Sequence, residues 1–355
     1  MSKFLAPRLA SLEAYTPGEQ PKDRKYIKLN TNESPYPPSP EVLEAVNGDA
    51  VASLNLYPDP TCSVLREKLA QRYGVSSENV FVSNGSDDIL NFAFMAFCTE
   101  EKGMAFPDIT YGFYKVFAEL HGVKAKVIPL LSDFSVNVEA FCGVGMNIAL
   151  ANPNAPTGIA LSLCEIERIL KSNSKSVVIV DEAYVDFGAE SAVSLVGKYD
   201  NLIVVRTFSK SRSMAGARLG FAISSPEIIE DLEKLKYSTN PYDINRLTQI
   251  AGAAAIDSDG YYFKNVKRIT ETREYTEKAL LSLGFEVIPS KANFLFARHP
   301  DFSGEWLYKS LRENGILVRH FGGERIKEYL RITVGTAEEM DSLVKALGKL
   351  TDRSL

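Results

Sequence analysis

Short apolar runs alternate with helical patterns between residues 41 and 240, and this rhythm constrains the fold more than any other feature. The strand candidates are Val80–Ser83, Met104–Phe106, Val127–Pro129, Ile148–Ala151, Val177–Val180, Ile203–Arg206 and Phe221–Ile223. The helical patterns include Ser63–Tyr73, Asp87–Phe97, Tyr111–His121, Leu163–Lys171 and Pro226–Lys236. This alternation predicts an α/β fold with a mostly parallel, seven-stranded sheet that helices cover on both faces.

Residues 1–40 and 241–355 do not follow this rhythm. Four prolines, Pro35, Pro37, Pro38 and Pro40, exclude a regular element near the end of the first segment. The last segment contains a helical stretch from Asn245 to Leu283, strand candidates Phe285–Ile288, Phe294–Ala297, Ile316–Arg319 and Leu330–Val334, and helices Glu305–Glu313 and Ala337–Leu350. We therefore predict an N-terminal arm and small-domain segment over 1–40, a large domain over 41–240 and a smaller α+β domain over 241–355.

Composition argues against several classes of partner. The 355 residues carry a net charge of −5 with acids and bases interspersed, so we expect no nucleic-acid partner. No run reaches the roughly 18–20 apolar residues of a membrane span, and the N-terminus has no signal-peptide pattern, so we expect no membrane. The four cysteines are scattered without metal-ligand spacing, which argues against a metal site or disulfides and predicts a cytoplasmic protein.

Ligands of open parallel sheets bind at the carboxyl ends of the strands, so the residues that follow each strand candidate are the candidates for a binding site. Gly85, Ser86 and Asp87 open a helix, which makes either an anion site or an ordinary helix cap. Tyr111 follows another strand and is either a ring that stacks on a flat ligand or a core tyrosine. Asn154 begins a loop with proline and glycine, which is either part of a site or simply a turn.

Two further strand ends carry ionisable side chains that are costly to bury. Asp181 ends an apolar run, where its carboxylate needs a partner such as a protonated ring nitrogen. Glu182 and Asp186, which follow, are expected to be solvated. Lys210 follows Ser209 near the end of the next strand, and desolvation makes a lysine nucleophilic toward carbonyl groups. Taken alone, such a lysine is more often a solvent-exposed residue without a specific role.

Together these positions meet the requirements of pyridoxal 5'-phosphate. A helix start, Ser209 and Arg218 suit the phosphate group. Tyr111 suits one face of the ring, and Asp181 suits the ring nitrogen, which it would keep protonated. Lys210 would form the Schiff base and then transfer protons as general acid and base.

The motifs resemble those of fold-type-I pyridoxal-phosphate enzymes and, in detail, those of the histidinol-phosphate aminotransferase family. The matching pieces are LNTNESPYPPSP, LYPDP, NGSDD, FPDITYGFY, NPNAPTG, VDEAYVDF, RTFSKSRSMAGARLGF, NPYDINR, ANFLF, GILVRHF and YLRITVGT, which cover nearly the whole chain. The Ser-Lys element with its downstream AGARLG, together with DEAY, is specific for the superfamily. The NESP start and the LRITVGT ending narrow the resemblance to this family.

The resemblance implies roles by position. Lys210 matches the Schiff-base lysine, Asp181 the residue at the ring nitrogen and Tyr184 the residue at the phenolic oxygen. Tyr57 matches a tyrosine that reaches the cofactor of the neighbouring subunit, which implies a homodimer with shared active sites. The phosphate cup and the stacking ring correspond to Gly85, Ser86, Asp87, Ser209, Arg218 and Tyr111. The residues that grip or cover the substrate correspond to Arg319, Arg331 and Tyr15.

The family reaction is reversible amino transfer between L-histidinol phosphate and 2-oxoglutarate, giving imidazole acetol phosphate and L-glutamate in histidine biosynthesis. A threonine-phosphate decarboxylase or an aromatic aminotransferase would share the entire cofactor site, and a non-catalytic pyridoxal-phosphate-binding regulator is the alternative outside enzymes. One position departs from the family pattern. Ala155 stands where most relatives carry an asparagine directly before Pro-Thr-Gly, so either Asn154 serves the phenolic oxygen or Tyr184 does so alone.

Overall fold

The computed structural model describes residues 2–352, which form three sheets and the helices around them. The strands are β1 (Ile27–Lys28), β2 (Val80–Ser83), β3 (Met104–Pro107), β4 (Ala125–Ile128), β5 (Asn147–Ala151), β6 (Val178–Asp181), β7 (Leu202–Thr207), β8 (Gly220–Ile223), β9 (Glu286–Ile288), β10 (Phe294–Arg298), β11 (Ile316–Leu317), β12 (Arg319–His320) and β13 (Tyr329–Thr333). The helices are α1 (Pro40–Ala45), α2 (Gly48–Ala52), α3 (Ser63–Tyr73), α4 (Ser86–Phe97), α5 (Phe113–His121), α6 (Val138–Phe141), α7 (Leu163–Ser172), α8 (Pro226–Thr239), α9 (Arg246–Asp257), α10 (Asp259–Ser282), α11 (Gly304–Glu313) and α12 (Ala337–Thr351).

The large sheet has seven strands in the order β2-β8-β7-β6-β5-β3-β4. Its members pair in parallel except β8, which runs antiparallel to both β2 and β7. Successive residues of β6 face different cores: Val178 and Val180 pack on one side, and Ile179 packs on the other. The predicted sheet, mostly parallel and covered on both faces, is therefore confirmed.

A four-stranded antiparallel sheet, in the order β12-β13-β10-β9, forms a second layer of structure near the C-terminus. Its core includes apolar side chains of α10, α11 and α12. The arm joins this region through β1, which pairs in parallel with β11. The predicted smaller α+β region with antiparallel strands is thus present, and the arm is anchored to it by backbone hydrogen bonds.

Three predicted elements differ in detail from the structure. The helical stretch predicted from Asn245 to Leu283 is divided into two helices at Ser258. The hydroxyl group of Ser258 donates to Ala254 O at 2.9 Å and to Glu41 Oε2 at 3.0 Å, and such side-chain hydrogen bonds compete with a continuous helix. The strand Ile316–Arg319 divides between two sheets at Val318. The proline-rich end of the arm is irregular as expected, but Pro40 starts α1, where its missing N–H costs nothing.

The packing of α10 bears on the predicted domain boundary at residues 240 and 241. Tyr262, near the start of α10, packs into the core beneath the large sheet. Val266 and Ile269, about one turn and two turns further on, pack into the core of the small sheet. A single helix therefore joins the two cores, and the division at residue 240 remains a prediction.

A buried ion cluster lies beside the end of β7. Arg206 donates to Glu182 Oε2 at 3.2 Å and to Asp186 Oδ1 at 2.5 Å. Glu182 also accepts from Ser191 Oγ at 2.6 Å, and Asp186 accepts from Ser211 Oγ. The expectation that Glu182 and Asp186 are solvated was wrong, because the pattern of acids after β6 gave no sign of the arginine that β7 places beside them.

No helix within residues 2–352 is both long and apolar enough to cross a membrane. All four cysteines have free thiols.

The ion cluster generates a stability prediction. We expect Arg206→Met to lower the free energy of unfolding by about 3–5 kcal/mol, because it leaves two carboxylates without their buried cation. Urea unfolding followed by circular dichroism measures this change. The matched control, Arg168→Met, breaks an exposed pair with Glu139 and is expected to leave the midpoint unchanged. Equal midpoints for the two variants would contradict the assignment.

Candidate active site

A cavity of about 660 Å³ opens at the carboxyl ends of the parallel strands. Ala151, Asp181 and Thr207 are the last residues of β5, β6 and β7, and all three reach its wall. The small sheet and the arm supply the remaining sides. The sequence-predicted site residues that line this cavity are Tyr15, Ser86, Asp87, Tyr111, Asp181, Tyr184, Ser209, Lys210, Arg218, Arg319 and Arg331.

A cup formed by Gly85, the first turn of α4 and Arg218 lies at the start of α4. Gly85 has a φ of +89° and precedes the first helical residue, Ser86, so the N–H groups of the first turn are free of intrahelical partners. A Cβ atom on Gly85 would lie 2.8 Å from Arg218 Nη2, so the guanidinium lies against bare backbone, and the positive φ itself favours glycine here. Arg218 Nη2 lies 3.0 Å from Asp87 Oδ2. Such a cup suits a phosphate group.

The carboxyl group of Asp181 is buried at the end of β6, with the residue only 4% exposed. Burial raises its pKa to about 7, although hydrogen bonds from Tyr114 Oη at 3.1 Å and from the backbone N–H of Ala183 at 3.2 Å oppose the rise. A cation bound beside this carboxyl group would stabilise its ionised form. A protonated ring nitrogen is such a cation.

Lys210 lies in a tightly hydrogen-bonded loop after β7. Its ammonium group donates to Thr31 O at 3.3 Å and lies 5.6 Å from the centre of the Tyr184 ring. The loop is held because Ser209 N donates to Thr207 Oγ1 at 3.1 Å and because Ser211 is tied to the ion cluster through Asp186. The amine is therefore presented into the cavity from a fixed backbone.

Two tyrosines three residues apart, Tyr111 before α5 and Tyr114 in its first turn, lie beside the cup and the buried carboxyl. Tyr111 donates to Asp87 Oδ1 at 2.7 Å, and Tyr114 donates to Asp181. The rings meet edge to face at 5.8 Å. Burial, together with the nearby Asp87, raises the pKa of Tyr111 well above its ordinary value, so the phenol stays neutral. The face of Tyr111 is available to a flat ring in the cavity.

Two arginines of the small sheet form the opposite, cationic end of the cavity. Arg319 donates to the backbone carbonyls of Thr16 at 3.0 Å and Pro17 at 3.3 Å. Arg331 donates to Asn30 O at 3.0 Å, while its buried Nε finds no hydrogen-bond acceptor among residues 2–352. Burial lowers the pKa of Arg331. A buried guanidinium with an unused donor suits an anionic ligand group.

Tyr15 closes the cavity from the arm. Its ring stacks on Phe113 at 4.3 Å with an angle of 25°, and it lies 6.4 Å from the ring of Tyr111. Burial raises the pKa of Tyr15, although Arg319 and Arg331 oppose the rise. A neutral phenol beside two guanidinium groups can donate to the same anion that they bind.

Asn154 and Tyr57 are not brought into the cavity. Asn154 is fully buried, and its amide is used by the loop, since it donates to Ile109 O at 3.0 Å and accepts from Thr110 Oγ1 at 2.8 Å. Ala155 lines the cavity in its place. Tyr57 is 77% exposed and stacks on Tyr242 at 4.5 Å.

Several residues that sequence reasoning missed also contribute to the site. Asn32 donates to Tyr184 Oη at 3.0 Å, and Glu33 lines the same wall. Tyr114, the partner of Asp181, could have been found from its spacing of three residues after Tyr111. Asn32 and Glu33 lie in the irregular arm, where no periodicity indicates which side chains turn inward.

The residues present fit pyridoxal 5'-phosphate. The glycine-backed cup matches a phosphate, the buried carboxyl matches a ring nitrogen and the lysine matches a carbonyl carbon. The unused Nε of Arg331 is left for an anionic substrate. The arrangement is therefore suited to chemistry at an amine-bearing carbon of a small anionic molecule.

Comparison with known proteins agrees with this geometry. Residues 24–347 match the family described as aminotransferase class I and II. The histidinol-phosphate aminotransferase of Clostridium acetobutylicum is 50% identical, over 97% of this chain and 98% of that protein. Its counterpart from a Marinomonas species is also 50% identical, over 99% of this chain and 100% of that protein.

The fold is shared with a solved structure as well. Histidinol-phosphate aminotransferase from Sinorhizobium meliloti, in complex with pyridoxal-5'-phosphate, has a TM-score of 0.88 at 22% identity, over 99% of this chain and 98% of that chain. The expected fold type is thereby confirmed. The chain belongs to the aminotransferase class I and II family and, within it, to the histidinol-phosphate aminotransferases.

Proposed function

We propose that this protein transfers an amino group reversibly between L-histidinol phosphate and 2-oxoglutarate, giving imidazole acetol phosphate and L-glutamate, with pyridoxal 5'-phosphate as cofactor. The observation that carries the proposal is the meeting of Lys210, Asp181 and Arg218 at one cavity whose far end holds two arginines. The 50% identity to curated histidinol-phosphate aminotransferases over nearly the whole chain supports the choice of substrate.

The residues of the cup and of the strand ends would hold the cofactor. Ser209, Arg218 and the first turn of α4 would bind its phosphate, and Asp181 would pair with its ring nitrogen. When bound, pyridoxal phosphate supplies an exchangeable carbonyl group and a ring that withdraws electrons from the substrate carbon. The amine of Lys210 would serve as nucleophile and as the base that moves a proton at that carbon.

The cationic end of the cavity would bind the substrates. Arg319 and Arg331 each present a planar set of donors that matches a phosphate or a carboxylate. Tyr15 would donate to the same group and exclude water from it. L-histidinol phosphate and 2-oxoglutarate each have an anionic end, a phosphate in one and a carboxylate in the other. One pair of arginines would therefore serve both half-reactions.

We also propose a cytoplasmic homodimer. Tyr57 is highly exposed and lies outside this chain's own cavity, as expected for a residue that serves a neighbouring subunit. Leu43, Leu54 and Leu56 are exposed apolar side chains of the same part of the chain, and such groups favour association. The free cysteines agree with a reducing compartment.

Replacing the proposed nucleophile tests the cofactor chemistry. We expect Lys210→Ala to lower the rate of amino transfer by at least about 10³-fold, because both the nucleophile and the base are lost. Coupled assay of L-glutamate formation from L-histidinol phosphate and 2-oxoglutarate measures the rate, and the visible absorption of bound cofactor reports its attachment. The exposed Lys126→Ala on β4 serves as the matched control. An undiminished rate in Lys210→Ala would falsify the mechanism.

Substrate competition tests the choice within the family. We expect kcat/KM for L-histidinol phosphate to exceed that for L-phenylalanine or L-tyrosine by about 10²-fold or more, because a phosphate offers the two arginines three acceptor oxygens and more negative charge than a carboxylate does. Release of CO₂ from L-threonine phosphate, followed in the same preparation, reports the decarboxylase alternative. Faster turnover of either competitor would reverse the assignment.

The buried carboxyl makes the stability of the cofactor-free protein depend on pH. The ordinary pKa of Asp181 is 3.8 and burial raises it to about 7, so between these values only the folded chain holds the proton, and stability falls as pH rises. We expect the wild type to lose roughly 3 kcal/mol more than Asp181→Asn between pH 5 and pH 8. Urea unfolding of both cofactor-free proteins measures the difference.

The control for this comparison is the exposed Asp200→Asn, which should keep the wild-type dependence on pH. The same Asp181→Asn variant, loaded with cofactor, should lose at least about 10²-fold in activity, because an amide cannot keep the ring nitrogen protonated. Parallel pH curves for the wild type and Asp181→Asn would show that this carboxyl is ionised throughout, contrary to expectation.

A further inference from the structure

The hydroxyl group of Tyr184 has a partner in the arm. Asn32 Nδ2 donates to Tyr184 Oη at 3.0 Å, and both residues are buried, at 1% and 8% exposure. Both also line the cavity beside Lys210. Among the described residues 2–352, Tyr184 Oη makes no hydrogen bond as a donor, so its own proton is free to point into the cavity.

Asn32 is held in place by the small sheet and not by the arm alone. Its backbone N–H donates to Thr333 Oγ1 at 2.9 Å, and Thr333 Oγ1 donates to its Oδ1 at 3.0 Å. Asn293 Nδ2 donates to its carbonyl oxygen at 3.0 Å. Because the oxygen of the amide faces Thr333, its NH₂ group faces Tyr184.

The backbone at Asn32 has a φ of +55°, a left-handed conformation that asparagine and glycine adopt more readily than other residues. This conformation, with the contacts above, lets a residue of the irregular arm present a fixed donor to Tyr184, in the segment that follows β6. A β-branched or aliphatic residue would supply neither the backbone geometry nor the donor.

The neighbouring loop offers no substitute for this donor. The amide of Asn154 is engaged by Ile109, Thr110 and Thr157, and it lies outside the cavity wall. Ala155, which does reach the wall, has no polar side chain. Within residues 2–352, the hydrogen bond that Tyr184 Oη accepts comes from Asn32.

We propose that Asn32 is a positioning residue that acts through Tyr184. By donating to Tyr184 Oη, Asn32 orients the Tyr184 hydroxyl so that its single proton points to the group bound beside Lys210. A donor held there favours the more negative form of an acidic oxygen on that group. This inference rests on the proposed function, because it requires pyridoxal phosphate at Lys210.

The test is the pH at which the visible absorption of the bound cofactor changes, measured on the complete, cofactor-loaded enzyme. Asn32→Gly removes the amide and keeps the left-handed backbone. We expect it to raise the pH midpoint by about one unit, a tenfold change in proton affinity, because the Tyr184 proton is no longer directed at the acidic oxygen. Tyr184→Phe should raise the midpoint similarly.

The double variant, Asn32→Gly with Tyr184→Phe, distinguishes a positioning role from a general one. If Asn32 acts through Tyr184, adding Asn32→Gly to Tyr184→Phe shifts the midpoint no further. Additive shifts would overturn the inference, as would an unchanged midpoint in Asn32→Gly. Asn32→Asp, which keeps the acceptor for Thr333 but replaces the donor, gives a second reading and should also raise the midpoint.

Asn30→Gly is the matched control. Asn30 lies on the same arm and lines the same cavity, but its amide donates to Glu19 O at 2.9 Å. We expect its spectral midpoint to equal that of the wild type, and an equal rise in this variant would assign the effect to a loosened arm. A wild-type protein that binds no cofactor overturns the proposed function itself, whereas normal binding with an unshifted Asn32→Gly overturns only this inference.

Discussion

The buried carboxyl group of Asp181 is the constraint on which the rest of the site depends. It ends a strand that is covered on both faces, and burial is the largest cause that raises its pKa to about 7. Two protein donors, Tyr114 and the backbone N–H of Ala183, offset only part of that cost. The remaining partner must come from outside the chain, so the fold carries an electrostatic preference for a cationic ring at this position.

The arm supplies hydrogen-bond acceptors for the cationic side chains of the cavity. Of the four positive groups that line the cavity, three donate to backbone carbonyls of the arm: Lys210 to Thr31, Arg331 to Asn30 and Arg319 to Thr16 and Pro17. Neutral carbonyl groups partner these cations more weakly than anions do. If these side chains bind substrate as proposed, an incoming phosphate or carboxylate would compete for the same donors and would couple substrate binding to the position of the arm.

Sequence patterns predicted what depends on local periodicity and strand order. The alternating apolar runs predicted the large sheet. The site residues at the strand ends were predicted because the carboxyl ends of parallel strands lie at one edge of a sheet. Glu182 and Asp186 were misjudged because their partner, Arg206, is about twenty residues away on the next strand. Ser258 was missed as a helix break because its hydroxyl is engaged by Ser39 and Glu41, more than two hundred residues earlier.

Asn154 and Asn32 show the limit of motif-based assignment. A motif fixes which residue types are near each other in sequence, and on that basis either Asn154 or Tyr184 alone was expected to serve the cofactor's phenolic oxygen in place of the asparagine absent at Ala155. The Tyr184 hydroxyl is a different acceptor, and it accepts from any donor within about 3 Å, whatever that donor's position in the chain. The left-handed turn at Asn32, anchored by Thr333, meets that requirement from 152 residues away, and only tertiary packing determines which amide reaches the oxygen.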